Sequence, residues 1–262
     1  MSNVTDSVVP IAWEEIGEGP PLLLIMGLGY ARWAWDPIVP QLSTRYRVIT
    51  FDNRGIGESG IPDGPYTVAE MATDALAVLE SAAADRAHVV GASLGGMIAQ
   101  HVAYEHPDVV DRLVLLSTTP GGPDSYPMPE VTVKLMTDSA DMAPEEALRR
   151  FVENALSDHA DPSTIDTLVE RRLASPQPRD AWAAQAAAGA GFDASSRVGE
   201  ITAPTLIVHG QSDNVVDPAN APVLATLIPD SRVEMVPGGH LFFWEDPTLA
   251  AGLIMSFLDE EA

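Results

Sequence analysis

Six short apolar runs, each stopped by Gly, Pro, Asp or a small polar residue, constrain this chain more than anything else in it. They are Leu22 to Met26, Arg47 to Phe51, His88 to Gly91, Leu113 to Ser117, Thr205 to His209 and Arg232 to Val236. All are too short and too β-branched for free-standing helices. Helical patterns lie between most of them, and that alternation predicts a mostly parallel sheet covered by helices on both faces, an α/β fold. Val8 to Ile16 is expected to be an antiparallel edge strand, because Pro10 is tolerated at an edge and not in a sheet centre.

The helices announce themselves by period and caps. Val68 to Ala83 places Val68, Met71, Ala72, Ala75, Leu76 and Leu79 on one face. Thr67 before it and Glu70 after it form a capping-box pattern. Leu94 to Glu105 is predicted as a helix, as is Pro247 to Leu258, which has Asp246 as cap and Pro247 in its first turn. From Pro120 to Gly199 no strand pattern occurs. Helical patterns there run over Val131 to Thr137, Pro144 to Ser157, Ser163 to Ala174 and Arg179 to Ala190. The expected organisation is a core of residues 1–120 and 200–262 with a helical cap at 121–199.

Composition removes several classes of function. The 262 residues hold 38 acids against 14 basic side chains, a formal charge of −24. Such a chain repels phosphate backbones and anionic bilayers, so nucleic acid and membrane partners are not expected. No apolar run reaches the ~18 residues of a membrane span. Cysteine is absent and the histidines are scattered without metal-ligand spacing, so no disulfide and no metal site is expected. Met1 to Asp6 lacks the basic and apolar regions of a secretion signal, and a cytoplasmic location is the default expectation. No pattern in the chain fixes an oligomeric state.

Chemistry is concentrated at strand ends. Gly91-Ala92-Ser93-Leu94-Gly95 follows one apolar run and opens a helix. A sharp strand-to-helix turn of this kind lifts a serine hydroxyl clear of the sheet, with glycines where side chains would collide. A serine needs a base and a group to orient that base. In doubly wound sheets these sit beyond the carboxyl ends of strands, which selects Asp213 after one run and His240 after the next. His209 is the strongest competing base and Asp217 the strongest competing acid. Asp124 is a more distant acid, and Asp217 reads better as a cap before Pro218. The backbone N–H groups of Leu94 and of Leu28, in the loop Met26-Gly27-Leu28-Gly29, are the expected donors to a developing oxyanion. Trp33, Met128 and Trp182 are candidates for the substrate pocket, with Met136 and Phe151 as further cap residues. Phe51 to Gly60 contains a literal G-x-G-x-x-G, but Pro62 and Pro65 follow instead of a helix. Dinucleotide binding is therefore not expected, and an internally bonded loop near the site is.

With these residues in place the chain resembles the alpha/beta-hydrolase family, in particular its small cofactor-free carboxylesterases and enol-lactonases. The likeness rests on MGLG (26–29), FDNRGIGESG (51–60), GASLGGMIAQ (91–100), HGQSDNVVDP (209–218) and PGGH (237–240). It implies a doubly wound sheet with an all-helical cap inserted after the sixth strand. It puts Ser93, Asp213 and His240 in the catalytic positions, with Leu28 and Leu94 at the oxyanion hole. It implies hydrolysis of a small to medium, mostly apolar ester or lactone without a cofactor. Met26 stands where the family often has histidine. Carbon–carbon bond hydrolysis, peracid formation and a receptor that keeps residual hydrolysis are the alternatives that the same residues permit.

Overall fold

The computed structural model describes residues 2–260. The elements run in chain order β1 (Asn3–Val4), β2 (Ala12–Ile16), β3 (Pro21–Ile25), α1 (Val39–Leu42), β4 (Arg47–Phe51), α2 (Val68–Ser81), β5 (Ala87–Ala92), α3 (Leu94–Glu105) and β6 (Val110–Leu116). Four helices follow without a strand: α4 (Glu130–Asp138), α5 (Pro144–Asn154), α6 (Pro162–Ala174) and α7 (Arg179–Ala190). The chain then returns as β7 (Thr205–Gly210), α8 (Asn220–Leu227), β8 (Ser231–Val236), α9 (Phe242–Glu245) and α10 (Pro247–Leu258).

The strands form one eight-stranded sheet in the order β1-β2-β4-β3-β5-β6-β7-β8. Every pairing from β4-β3 through β7-β8 is parallel, and β1-β2 and β2-β4 are antiparallel. The edge differs from expectation. Val8 to Ile11 is a connection, not strand: Pro10 accepts the Gly60 N–H there and Val8 is exposed. The edge itself is the short β1, which pairs Asn3 with Trp13. Pro10 offers no N–H to a ladder, so the chain bends at it and pairs on either side.

Alternation along the strands builds a core on each face of the sheet. Leu23, Ile25, Val89 and Leu115 pack toward α2, α3 and α8. Leu22, Leu24, Val90 and Leu116 pack toward Trp35, Phe242, Phe243 and α10. Each such side chain is worth ~1.5–3 kcal/mol of transfer free energy. The helix ends follow the sequence. The Thr67 side chain accepts the Glu70 amide and Glu70 accepts the Thr67 amide, a complete capping box. Asp246 accepts the Leu249 amide at the start of α10. Among the described residues no helix is long and apolar enough to cross a membrane.

This topology creates a crevice. From β3 the chain steps outward to β4 on one side and then crosses to β5 on the other. The connections after β3 and β5 therefore leave toward opposite faces, and the gap between them opens at the carboxyl ends of the strands. The loops that follow β7 and β8 reach the same edge of the sheet.

Candidate active site

Ser93 joins β5 to α3 with φ +56° and ψ −121°, a left-handed conformation that a serine adopts only under constraint. Its neighbours explain how the turn closes. A methyl group at Gly95 would lie 2.0 Å from the Ile25 carbonyl oxygen, and one at Gly91 would lie 2.3 Å from that of Gly95. Gly96 faces Thr118 at 2.6 Å in the same way. Thr118 Oγ1 donates to the Ser93 carbonyl at 2.7 Å and the Ser93 amide donates to Leu116 at 2.9 Å. The spacing of the motif is thus a steric requirement of the turn.

The loop after β3 lies directly against this serine. A methyl group at Gly27 would sit 2.9 Å from Ser93 Cβ and 3.4 Å from its Oγ. Asn53, in the glycine-rich loop after β4, donates from Nδ2 to the Met26 carbonyl at 2.7 Å and fixes the loop from below. That glycine-rich segment bonds internally, Gly55 N–H to Gly60 O at 2.9 Å, and Asp52 accepts the amides of Arg32 and Glu58. Among the described residues neither the Leu28 nor the Leu94 amide has a hydrogen-bond acceptor. Leu94 is buried at the first position of α3, where an unpaired N–H carries the positive end of the helix dipole.

Asp213 lies after β7 and is almost wholly buried. Its Oδ1 accepts the amides of Val215 and Val216 at 2.8 and 2.9 Å. Its Oδ2 accepts His240 Nδ1–H at 2.8 Å. Burial pushes the carboxyl up, but the adjoining His240 ring and the N–H groups of His209 and His240 pull it down by more, so it is held well below the usual carboxylate range. Among the described residues no hydrogen bond joins Ser93 Oγ to the His240 ring.

His209, a rival base in the sequence, has a different place. Its ring is fully buried, Nε2 donates to the Val216 carbonyl at 3.1 Å, and the same nitrogen lies 3.0 Å from Asp213 Oδ2. Because the Val216 carbonyl can only accept, Nε2 carries the proton. Nδ1 is buried without a partner. A second imidazole against Asp213 was not foreseen from the sequence, although the four-residue spacing from a strand end to the acid was visible. Asp217 accepts the Ala219 amide at 2.9 Å and caps the turn before α8.

The inserted helices reach both loops. Glu245 accepts the amides of Gly239 at 2.7 Å and Ser157 at 3.1 Å, and also the Ser157 hydroxyl. The Leu241 amide donates to Ala155 at 2.9 Å. Thr132 donates to the carbonyl of Asn214 and accepts Asn154 Nδ2 at 2.7 Å. The segment Asn154 to Ser157 therefore holds the loops of both Asp213 and His240. These contacts join residues far apart in the chain and leave no local pattern in it.

The three expected pocket residues separate. Trp33 is half-buried between Tyr30, Trp244 and Arg171, and it borders an outer cleft of about 540 Å³ that Ser93 and His240 do not line. Met128 is 43% exposed in the segment before α4. Trp182 on α7 brings its indole nitrogen over the loop after β3, where a methyl group at Gly29 would lie 3.3 Å from it.

The family model described as alpha/beta hydrolase fold matches residues 20–173 and 155–247. The chain belongs to the alpha/beta hydrolase fold family. It is similar to RutD of Caulobacter segnis, a protein named for carbamate hydrolysis, at 30% identity over 255 residues, covering 94% of this chain and 92% of that one. A pimeloyl-[acyl-carrier protein] methyl ester esterase of Aeromonas hydrophila is 28% identical over 257 residues, with 95% and 99% covered. Among solved structures, Est816, described as an N-acyl homoserine lactone degrading enzyme, superposes with a TM-score of 0.84 at 27% identity, covering 97% of this chain and all of that one. These relatives are all named for hydrolysis, and the chain belongs to that family of hydrolases.

Proposed function

We propose that the chain is a serine hydrolase that cleaves a carboxylic ester or lactone of a small to medium, mostly apolar substrate through an acyl-enzyme. The observation that carries this reading is the pairing of His240 with the buried Asp213; the strained serine and the two amides without acceptors support it. In the reading, Ser93 Oγ attacks the carbonyl carbon and its proton passes to His240 Nε2. The carbonyl π pair moves onto oxygen, where the Leu28 and Leu94 N–H groups stabilise it. Collapse expels the alkoxide, which takes the proton from His240 and leaves as the alcohol, or stays tethered in a lactone. Water then attacks the acyl-enzyme, His240 takes its proton and returns it to Ser93, and the acid departs. Asp213 fixes the His240 tautomer and stabilises the imidazolium without itself being protonated.

In the reading, the serine–imidazole hydrogen bond forms in the substrate complex, as catalytic bonds that are long in empty sites often do. The helices between β6 and β7 act as a cap, residues 121–199, over a core of 1–120 and 200–262. No step calls for a cofactor.

A panel of p-nitrophenyl esters of rising chain length, several lactones and an N-alkyl carbamate tests the reading. Turnover of esters or lactones is expected, with a chain-length optimum that reports the pocket. The likeness to RutD favours a carbamate as the second reading. Turnover of the carbamate alone would move the assignment there, and turnover of none of the panel would overturn it.

A further inference from the structure

The loop after β3 that supplies Leu28 does not hold itself. Among the described residues no backbone hydrogen bond joins any two of residues 26–29. Two side-chain amides hold the loop from outside. Asn53 Nδ2 donates to the Met26 carbonyl at 2.7 Å. Gln185 Oε1 accepts the Gly29 amide at 3.4 Å, and Gln185 Nε2 donates to the Arg54 carbonyl at 2.7 Å. Asn53 and Arg54 are neighbours in the chain, so the two holds close into one ring that runs from Met26 through Asn53, Arg54 and Gln185 to Gly29. Both amide side chains are buried. The ring is tied to α2, where the buried Asp74 accepts Arg54 Nε–H at 2.6 Å and Nη2–H at 2.9 Å.

The position of the two bonds along the chain gives them a use. Each peptide unit is a rigid plane. The Met26 carbonyl belongs to the plane before Gly27, the Gly29 amide to the plane after Leu28, and the Leu28 N–H to the plane between. The outer planes are pinned and the middle one carries the donor. Gly27 cannot stiffen the loop by itself. A methyl group there would lie 2.9 Å from Ser93 Cβ, so the close approach to the serine calls for glycine, and glycine leaves its two dihedrals free. We propose that Asn53 and Gln185 are positioning residues that aim the Leu28 N–H at the developing oxyanion. Gln185 thereby makes α7, from the helices inserted between β6 and β7, part of the device that stabilises the transition state. This rests on the reading of Ser93 and Leu28 above and adds the residues that set the direction of the second donor.

The test uses the best p-nitrophenyl ester of the panel and its thionoester, in which sulfur replaces the carbonyl oxygen. Sulfur is larger and accepts hydrogen bonds weakly. A well-aimed oxyanion hole therefore favours the ester, and the ratio of the two kcat/KM values reads that aim whatever fraction of the protein is active. Gln185→Met and Asn53→Ala should each lower kcat on the ester about 10- to 100-fold, short of the ~10²–10³ for losing a donor outright. KM should change less than about threefold, since the loss falls on the transition state. The ester-to-thionoester ratio should fall about fivefold or more in both variants. The double variant should lose little beyond the worse single one, because both act through one amide. Gln177→Met is the control. It cuts another bond to the same glycine-rich loop, from Gln177 Nε2 to the Gly55 carbonyl at 3.1 Å, without touching residues 26–29, and should leave the ratio unchanged. Asn53→Ala serves if Gln185→Met does not fold. An unchanged ratio in the folded variants, or an equal fall in the Gln177 variant, would overturn the proposal. The backbone amide resonance of Leu28 in nitrogen-labelled protein separates the two readings. A resonance displaced in both variants, in a protein that hydrolyses none of the panel, upholds the hold on this amide and overturns the ester reading. Ester turnover with the ratio and the Leu28 resonance both unmoved does the reverse.

Discussion

Asp213 keeps its charge in a buried place because its acceptor positions are filled: two backbone amides on Oδ1, His240 on Oδ2, and His209 close by. Replacing it with Asn removes the acceptor that fixes the His240 tautomer, and kcat is expected to fall by about 10⁴. Asp217→Asn, at a turn cap, should leave kcat within a few-fold, and steady-state kinetics on the two variants decides between the acids. His209→Gln tests the second imidazole. Its donor beside a buried carboxylate should be worth about 1–3 kcal/mol, read as a lower melting temperature with kcat reduced and KM little changed. The sign of the pH dependence follows from the same geometry. The Asp213 carboxyl is lower in the folded chain than in the unfolded one, so its contribution to stability is present above the ordinary carboxylate value of ~3.9 and is lost only as pH falls through the lower folded one. It remains ionised throughout the neutral range. A reaction that needs a neutral imidazole should then lose kcat/KM on acidification, and a rate indifferent to acid would contradict a histidine base.

At the scale of elements, the inserted helices bear on the site because α5 ends in the segment that ties the loops of Asp213 and His240. Glu245→Gln keeps the shape but weakens the clamp between Gly239 and Ser157, and kcat is expected to drop about tenfold with KM nearly unchanged, given that bonds to a charged acceptor are the stronger ones. Unchanged kcat would mean that the His240 loop holds itself. None of this was legible in the sequence, since Glu245, Ser157, Thr132 and Asn154 meet only through the fold. Legibility was high where one local rule governs. β4 and α3 match their expected bounds, and so does α7, because a β-branched run or a 3.6-residue period stopped by Gly or Pro admits one reading. It failed at Val8 to Ile11, where apolar residues mimic a strand although Pro10 breaks the ladder. The short α1 and α9 also left no signal, because four residues carry no period.

For the whole molecule, the doubly wound order puts the loops after β3 and β5 beside each other, and the loops after β7 and β8 complete the same edge of the sheet. The G-x-S-x-G turn and the strand ends made that arrangement readable from the sequence, while the seating of Gln185 between Gly29 and Arg54 was not, because it depends on how α7 docks. The surplus of acid has its own consequence. Net charge vanishes near the sequence pI of about 4.3, and with it the repulsion that keeps copies apart. Turbidity against pH should peak there, and a protein still clear at that pH would show that charge repulsion is not what keeps copies apart. The central claim is that Ser93 is the nucleophile, and it is tested most directly by the turnover of Ser93→Ala on the best ester of the panel, with folding checked by circular dichroism. The account predicts a native spectrum and a kcat lowered by about 10⁶; a native spectrum with appreciable turnover would contradict it.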